Sequence, residues 1–145
     1  MKKKMLMGIG NEMNGDDAIG VLVARGLKEK LSDWEIIDAG TMPENYTSKI
    51  ELLKPDILVM VDGIDKEGLM PGDVKIVTKD MLNNLTLSTH SIPLSLLYNY
   101  LSQFVPKIII IGIKIKEHNP YTPCTLPVDK ITEKVLKLII DSKLD

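Results

Sequence analysis

Two carboxylates and one imidazole carry the chemistry this sequence offers. Asp17 follows the glycine-rich run Met7-Gly8-Ile9-Gly10-Asn11-Glu12-Met13-Asn14-Gly15-Asp16. Asp62 follows the apolar run Ile57-Leu58-Val59-Met60-Val61, and His90 sits in Ser88-Thr89-His90. Oxygen and imidazole donors are hard-to-intermediate ligands that suit nickel, zinc, manganese or iron better than a soft ion. A helix N-terminus carries partial positive charge, which favours an ionised Asp17 and disfavours a protonated His90. Both are the forms a metal requires. Each residue also has a plainer role open to it. Either Asp16 or Asp17 serves as a helix N-cap, an Asp at a strand end forms turns, and His90 suits a surface cap.

The elements needed to bring the three together are legible. Lys4 to Ile9 predicts a buried strand, followed by a helix with Ile19, Leu22, Val23, Leu27 and Leu31 on one face. Trp34 to Asp38 predicts a second strand. Pro43 opens a short helix on which Tyr46, Ile50 and Leu53 line up. Ile57 to Val61 is apolar without alternation, as in a parallel strand covered on both faces, and is expected to end on Asp62-Gly63. Asp73 to Thr78 predicts a fourth strand. The connection to it is too short for a usual parallel crossover, so an antiparallel strand is expected there. A helix from Ser88, a strand from Lys107 to Ile113 and an amphipathic helix from Val128 to Ile140 complete the order. This alternation predicts one domain, residues 1–145, of α/β class: a three-layer α/β/α sandwich with a twisted, mainly parallel sheet of about five strands. In such a sheet ligands bind beyond the carboxyl ends of the strands, where the winding reverses. If strands two and three flank strand one, Asp17 and Asp62 face one crevice.

Nucleotide-binding readings of the first turn fail. A dinucleotide fingerprint needs a third glycine where Met13 stands, and a phosphate loop needs Lys and Ser or Thr where Asp16 and Asp17 stand. Carboxylates there repel phosphate and attract a cation. Asp38, at the end of the second strand, is discounted as a ribose-binding acid because Met13 stands in place of the third glycine. No Ser-His-Asp order, H-E-x-x-H motif or Cys-His pair is evident, and His118 and Cys124 have no partner in view.

Composition narrows the classes further. The 145 residues are 44% apolar and 26% charged with net charge −2, an ordinary globular balance without a nucleic-acid footprint. The single cysteine, Cys124, allows no internal disulfide or cysteine metal site and fits a cytoplasmic protein. The apolar run after Lys2-Lys3-Lys4 is too short for a targeting core, and Ile108 to Ile113 is too short to span a bilayer, so no membrane insertion is expected.

Five ordered blocks give the chain a family resemblance. Gly8-Ile9-Gly10-Asn11-x-Met13-x-Gly15-Asp16-Asp17 resembles the opening motif of the nickel-iron hydrogenase maturation endopeptidases. Asp38 to Asn45, Val61-Asp62-Gly63 with Pro71-Gly72-Asp73, Ser88 to Leu94, and the Gly112 strand with its proline-rich sequel are similar to the later blocks. The likeness is greatest to the branch that processes the large subunit of the formate hydrogenlyase hydrogenase and its archaeal relatives. The resemblance implies a hydrolase of aspartic type that removes a short C-terminal peptide from a hydrogenase large-subunit precursor. It implies that Asp17, Asp62 and His90 are the catalytic and metal-contacting residues, and that Asp16 caps or supports them. It implies that nickel arrives in the precursor, with none tightly bound to the free enzyme, which works as a cytoplasmic monomer. Loops 64–72 and 118–127 are expected to be mobile and to contact the substrate tail. The alternatives are a nickel metallochaperone and a small-ligand-binding α/β module without peptidase activity.

Overall fold

The computed structural model describes residues 2–83 and 93–142, with the backbone of 86–87. Strand β1 (Lys4–Ile9) leads through a 3-10 turn (Gly15–Ala18) into helix α1 (Ile19–Leu27). Strand β2 (Glu35–Gly40), a second 3-10 turn (Pro43–Tyr46), helix α2 (Thr47–Leu53) and strand β3 (Ile57–Asp65) follow. Then come β4 (Val74–Val77), the one-turn α3 (Lys79–Leu82), the short β5 (Thr86–Leu87), α4 (Leu94–Leu101), β6 (Lys107–Lys114) and α5 (Val128–Asp141). The sheet order is β2-β1-β3-β6-β4, with β5 paired to β3. The pairs β1–β2, β1–β3 and β3–β6 are parallel, while β4 runs antiparallel to β6 and β5 antiparallel to β3. The expected α/β sandwich and the antiparallel fourth strand are therefore observed.

Two apolar layers sandwich the sheet, because neighbouring residues of a strand point to opposite faces. Leu6, Val59, Val61, Ile111 and Ile113 pack with Ile19, Val23 and Leu27 of α1 and Ile131, Val135 and Ile139 of α5. Met5, Met7, Ile9, Leu58, Met60, Ile64 and Ile110 pack with Ile50 of α2 and Leu94, Leu97 and Leu101 of α4. All β3 residues from Ile57 to Ile64 are buried, as expected of a central parallel strand.

Two boundaries that bear on the site differ from expectation. β3 does not end on Asp62-Gly63 but continues to Asp65. Residues Asp62, Gly63 and Ile64 stay paired with Gly112, Ile113 and Lys114, so pairing with β6 outweighs the turn preference of Asp-Gly. Asp62 thus lies inside a paired strand. Helix α1 does not start at Asp16 or Asp17, since the 3-10 turn Gly15–Ala18 precedes it with Asn14 at its cap position. Neither aspartate is an N-cap.

Candidate functional site

Strand β1 has β2 on one side and β3 on the other, so the winding reverses between β1 and β3. This is the crevice position at which α/β sheets bind ligands. Asp17 lies in the turn after β1 and Asp62 in β3, and both are buried. Close packing joins their two elements. A Cβ on Gly20 would stand 2.1 Å from the Ile9 carbonyl oxygen, 2.5 Å from that of Val61 and 3.1 Å from Cα of Asp62. A Cβ on Gly63 would stand 3.9 Å from the carbonyl oxygen of Asp16. Only glycine at position 20 lets α1 lie this close to β1 and β3. The segment holding Asp17 is thereby pressed onto the strand holding Asp62.

The turn itself is fixed by backbone hydrogen bonds. Gly10 N–H donates to Gly40 O (2.9 Å), Asn11 N–H to Asp17 O (2.9 Å), and Asp17 N–H to Asn14 O (3.2 Å). Gly15 has φ of 59°, the left-handed region that glycine tolerates. The Asn14 side-chain amide donates to Oδ2 of Asp17. That bond holds one oxygen of the carboxylate and fixes its orientation.

Asp16 does something else. Its Oδ2 accepts from the backbone N–H groups of Lys116 (2.9 Å) and Glu117 (2.8 Å). Its Oδ1 accepts from the Thr125 N–H (2.7 Å) and hydroxyl (2.8 Å). Burial alone would raise its pKa. The backbone bonds from Glu117, Thr125 and Lys116 and the Thr125 hydroxyl outweigh burial and hold the carboxyl below its ordinary value. Asp16 is therefore a buried anion that ties the loop before α5 to the site turn. Segment 118–127, expected to be mobile, is also bound to that turn through Gly15 N–H to Thr122 O (3.0 Å) and Tyr121 N–H to Met13 O (2.5 Å).

On the other flank, Arg25 of α1 reaches Glu12 through Nη1 (2.8 Å) and Asp38 through Nε (2.9 Å). The hydrogen bond from Arg25 holds the Glu12 carboxyl below its ordinary range. Asp38, discounted above as a ribose acid, is the β2 end of this clamp. Burial first, and then the Asp16 carboxylate beside it, push the Cys124 thiol pKa up, which disfavours the reactive thiolate.

His90 lies outside the described residues. Among the described residues no group of three His, Cys, Asp or Glu side chains could hold a metal ion. Sequence reasoning chose Asp17 and Asp62 but missed Asp16 as a loop anchor, Asn14 as the partner of Asp17, and Arg25 as a clamp. Only Asn14 left a local signal, three residues before Asp17. A separate cleft lined by Lys2, Lys4, Trp34, Glu35 and Lys49 opens at the amino ends of the strands, away from these carboxylates.

The hydrogenase maturation protease (HycI) family model matches residues 21–142. The hydrogenase 3 maturation protease of Escherichia coli K12 is 34% identical over 133 residues, covering 90% of this chain and 85% of that protein. The crystal structure of the [NiFe] hydrogenase maturation protease HycI from Thermococcus kodakarensis KOD1 superposes with a TM-score of 0.81 at 34% identity, covering 97% of this chain and 91% of that one. The solution structure of the endopeptidase HycI from Escherichia coli gives 0.78 at 32% identity, covering 93% and 87%. The fold is thus that of a peptidase class with solved structures. This chain belongs to the hydrogenase maturation protease family, and it is a hydrolase.

Proposed function

We propose that this protein removes a C-terminal peptide from a [NiFe] hydrogenase large-subunit precursor and reads the nickel held by that precursor through Asp17, Asp62 and His90. The observation that carries the proposal is the placement of two buried carboxylates on adjoining elements at the β1/β3 reversal. Two like charges at one crevice repel until a cation arrives, so the site favours a metal-bearing partner over an empty one. Two carboxylates and an imidazole match nickel, and three protein ligands leave coordination positions to groups of the precursor. The Asn14 bond to Asp17 orients one donor, and pairing of Asp62 with Gly112 of β6 fixes the backbone of the other. Asp16 is engaged by the loop before α5 and takes no part in ligation. The lone cysteine agrees with work in the reducing cytoplasm. We assign the activity to one domain spanning residues 1–145, acting as a monomer.

Incubation of the purified protein with a nickel-loaded precursor, followed by intact-mass spectrometry, tests this reading. Loss of a discrete C-terminal mass is expected. An unchanged precursor mass, together with tight nickel binding by the isolated protein in calorimetry, would assign it to nickel delivery instead.

A further inference from the structure

Two non-glycine residues among those described adopt positive φ, Lys54 at 47° and Tyr121 at 60°. Lys54 has a structural reason, since it closes α2 as a left-handed C-cap. Tyr121 follows Pro120 in a turn, at a position where glycine or asparagine is the usual occupant. Its side chain is 83% exposed, so it contributes little burial to the fold. Fold stability therefore favours glycine over tyrosine here on both counts. Strain of this kind, held by surrounding structure, concentrates where function needs it.

The surroundings do hold it. Tyr121 N–H donates to Met13 O, Gly15 N–H to Thr122 O, and the Thr122 hydroxyl to Asn119 O (2.6 Å). Met13, whose N–H donates to Asn11 Oδ1 (2.9 Å), is itself 58% exposed and stands four residues before Asp17. An exposed aromatic and an exposed thioether residue are thus joined through their backbones at the turn that leads to Asp17. We infer that Tyr121, with Met13 beside it, is a specificity-determining contact that receives an apolar side chain of the precursor's C-terminal segment. The inference rests on the peptidase reading above. The chemistry of the rim supports this occupant: exposed aromatic and methionine surface suits apolar peptide groups, and the backbone bonds of Tyr121 to Met13 and of Gly15 to Thr122 tie it to the turn that carries Asp17.

Tyr121→Gly separates function from fold, because it removes the side chain and relieves the backbone. With the nickel-loaded precursor, kcat/KM is expected to fall about tenfold, typical of losing an interface aromatic, through a rise in KM. The thermal midpoint should stay level or rise. Tyr121→Phe should retain wild-type KM, since the apolar ring is the contact. Leu52→Ser, at an 84% exposed position on α2, is the control and should leave kcat/KM unchanged. Unchanged kcat/KM in Tyr121→Gly overturns the inference, as does a Tyr121→Phe loss equal to that of Tyr121→Gly. A concentration-dependent dimer of the wild type that Tyr121→Gly abolishes without changing kcat/KM would give the rim to a second copy and also overturn it. A wild-type protein that cleaves no precursor defeats the underlying reading. A cleaving wild type matched by Tyr121→Gly defeats this inference alone.

Discussion

Replacing Gly20 by alanine sets two sizeable effects against each other. Helix propensity favours the change by about 1 kcal/mol, because glycine is costly inside a helix. The structure opposes it. The new Cβ would lie 2.1 Å from the Ile9 oxygen and 2.5 Å from the Val61 oxygen, both backbone atoms of strands that cannot rotate away. Overpacking of this kind costs about 1–3 kcal/mol, and more where rigid backbone must move. The steric term at the upper end of that range leaves a net loss of about 2 kcal/mol, which lowers the melting temperature of a chain this size by roughly 4–8 °C. Displacement of α1 would also carry Asp17 away from Asp62 and reduce cleavage more than stability requires. Gly26→Ala is the matched control in the same helix, since its Cβ would meet only Thr132 side-chain atoms at 3.1 and 3.2 Å. Thermal unfolding followed by circular dichroism reads both variants. A Gly20→Ala protein as stable as the wild type, with full activity, would refute the close-packing argument.

Asp16→Asn would put an amide against donors, leaving N–H groups of Lys116, Glu117 or Thr125 unmatched, at a cost of about 1–3 kcal/mol. Amide exchange at these residues should accelerate relative to β3. The folded pKa of Asp16 is lowered, so its stabilisation is complete above the ordinary carboxylate pKa of about 4 and fades as pH falls below it toward the folded value. Acid titrations of stability should therefore be flatter for Asp16→Asn than for the wild type below that pH. Cys124, with its thiol pKa raised by burial, should react with iodoacetamide more slowly than a free thiol at pH 8, and Cys124→Ser should keep its cleavage activity.

Much of this fold is written in local pattern. The unbroken apolar run of β3 and the helical spacing of Ile131, Val135 and Ile139 announce their burial directly. The short connection to β4 announced its antiparallel direction. What stayed hidden depends on distant partners. Asp-Gly reads as a strand end at 62–63, and only pairing with β6 carries the strand through. Asp16 reads as a helix cap because its actual partners lie about a hundred residues away. Nothing local marks Gly20, whereas contact with two strands makes glycine necessary there. Asp17 and Asp62 are candidates because the crevice at a winding reversal gathers ligands, and the structure places Asp62 within β3 rather than at its end. The helix start read at Ser88-Thr89-His90 lies outside the described residues.

Nickel gating is tested by comparing two forms of the precursor. The precursor is prepared with and without nickel, each form is incubated with the protein, and intact mass is followed in time. Cleavage of the nickel-loaded form alone is predicted, and Asp62→Asn, which removes one charge at nearly constant shape, should abolish it while the protein stays folded. Equal cleavage of both forms, or an Asp62→Asn variant with wild-type rate, would contradict recognition of nickel by these carboxylates.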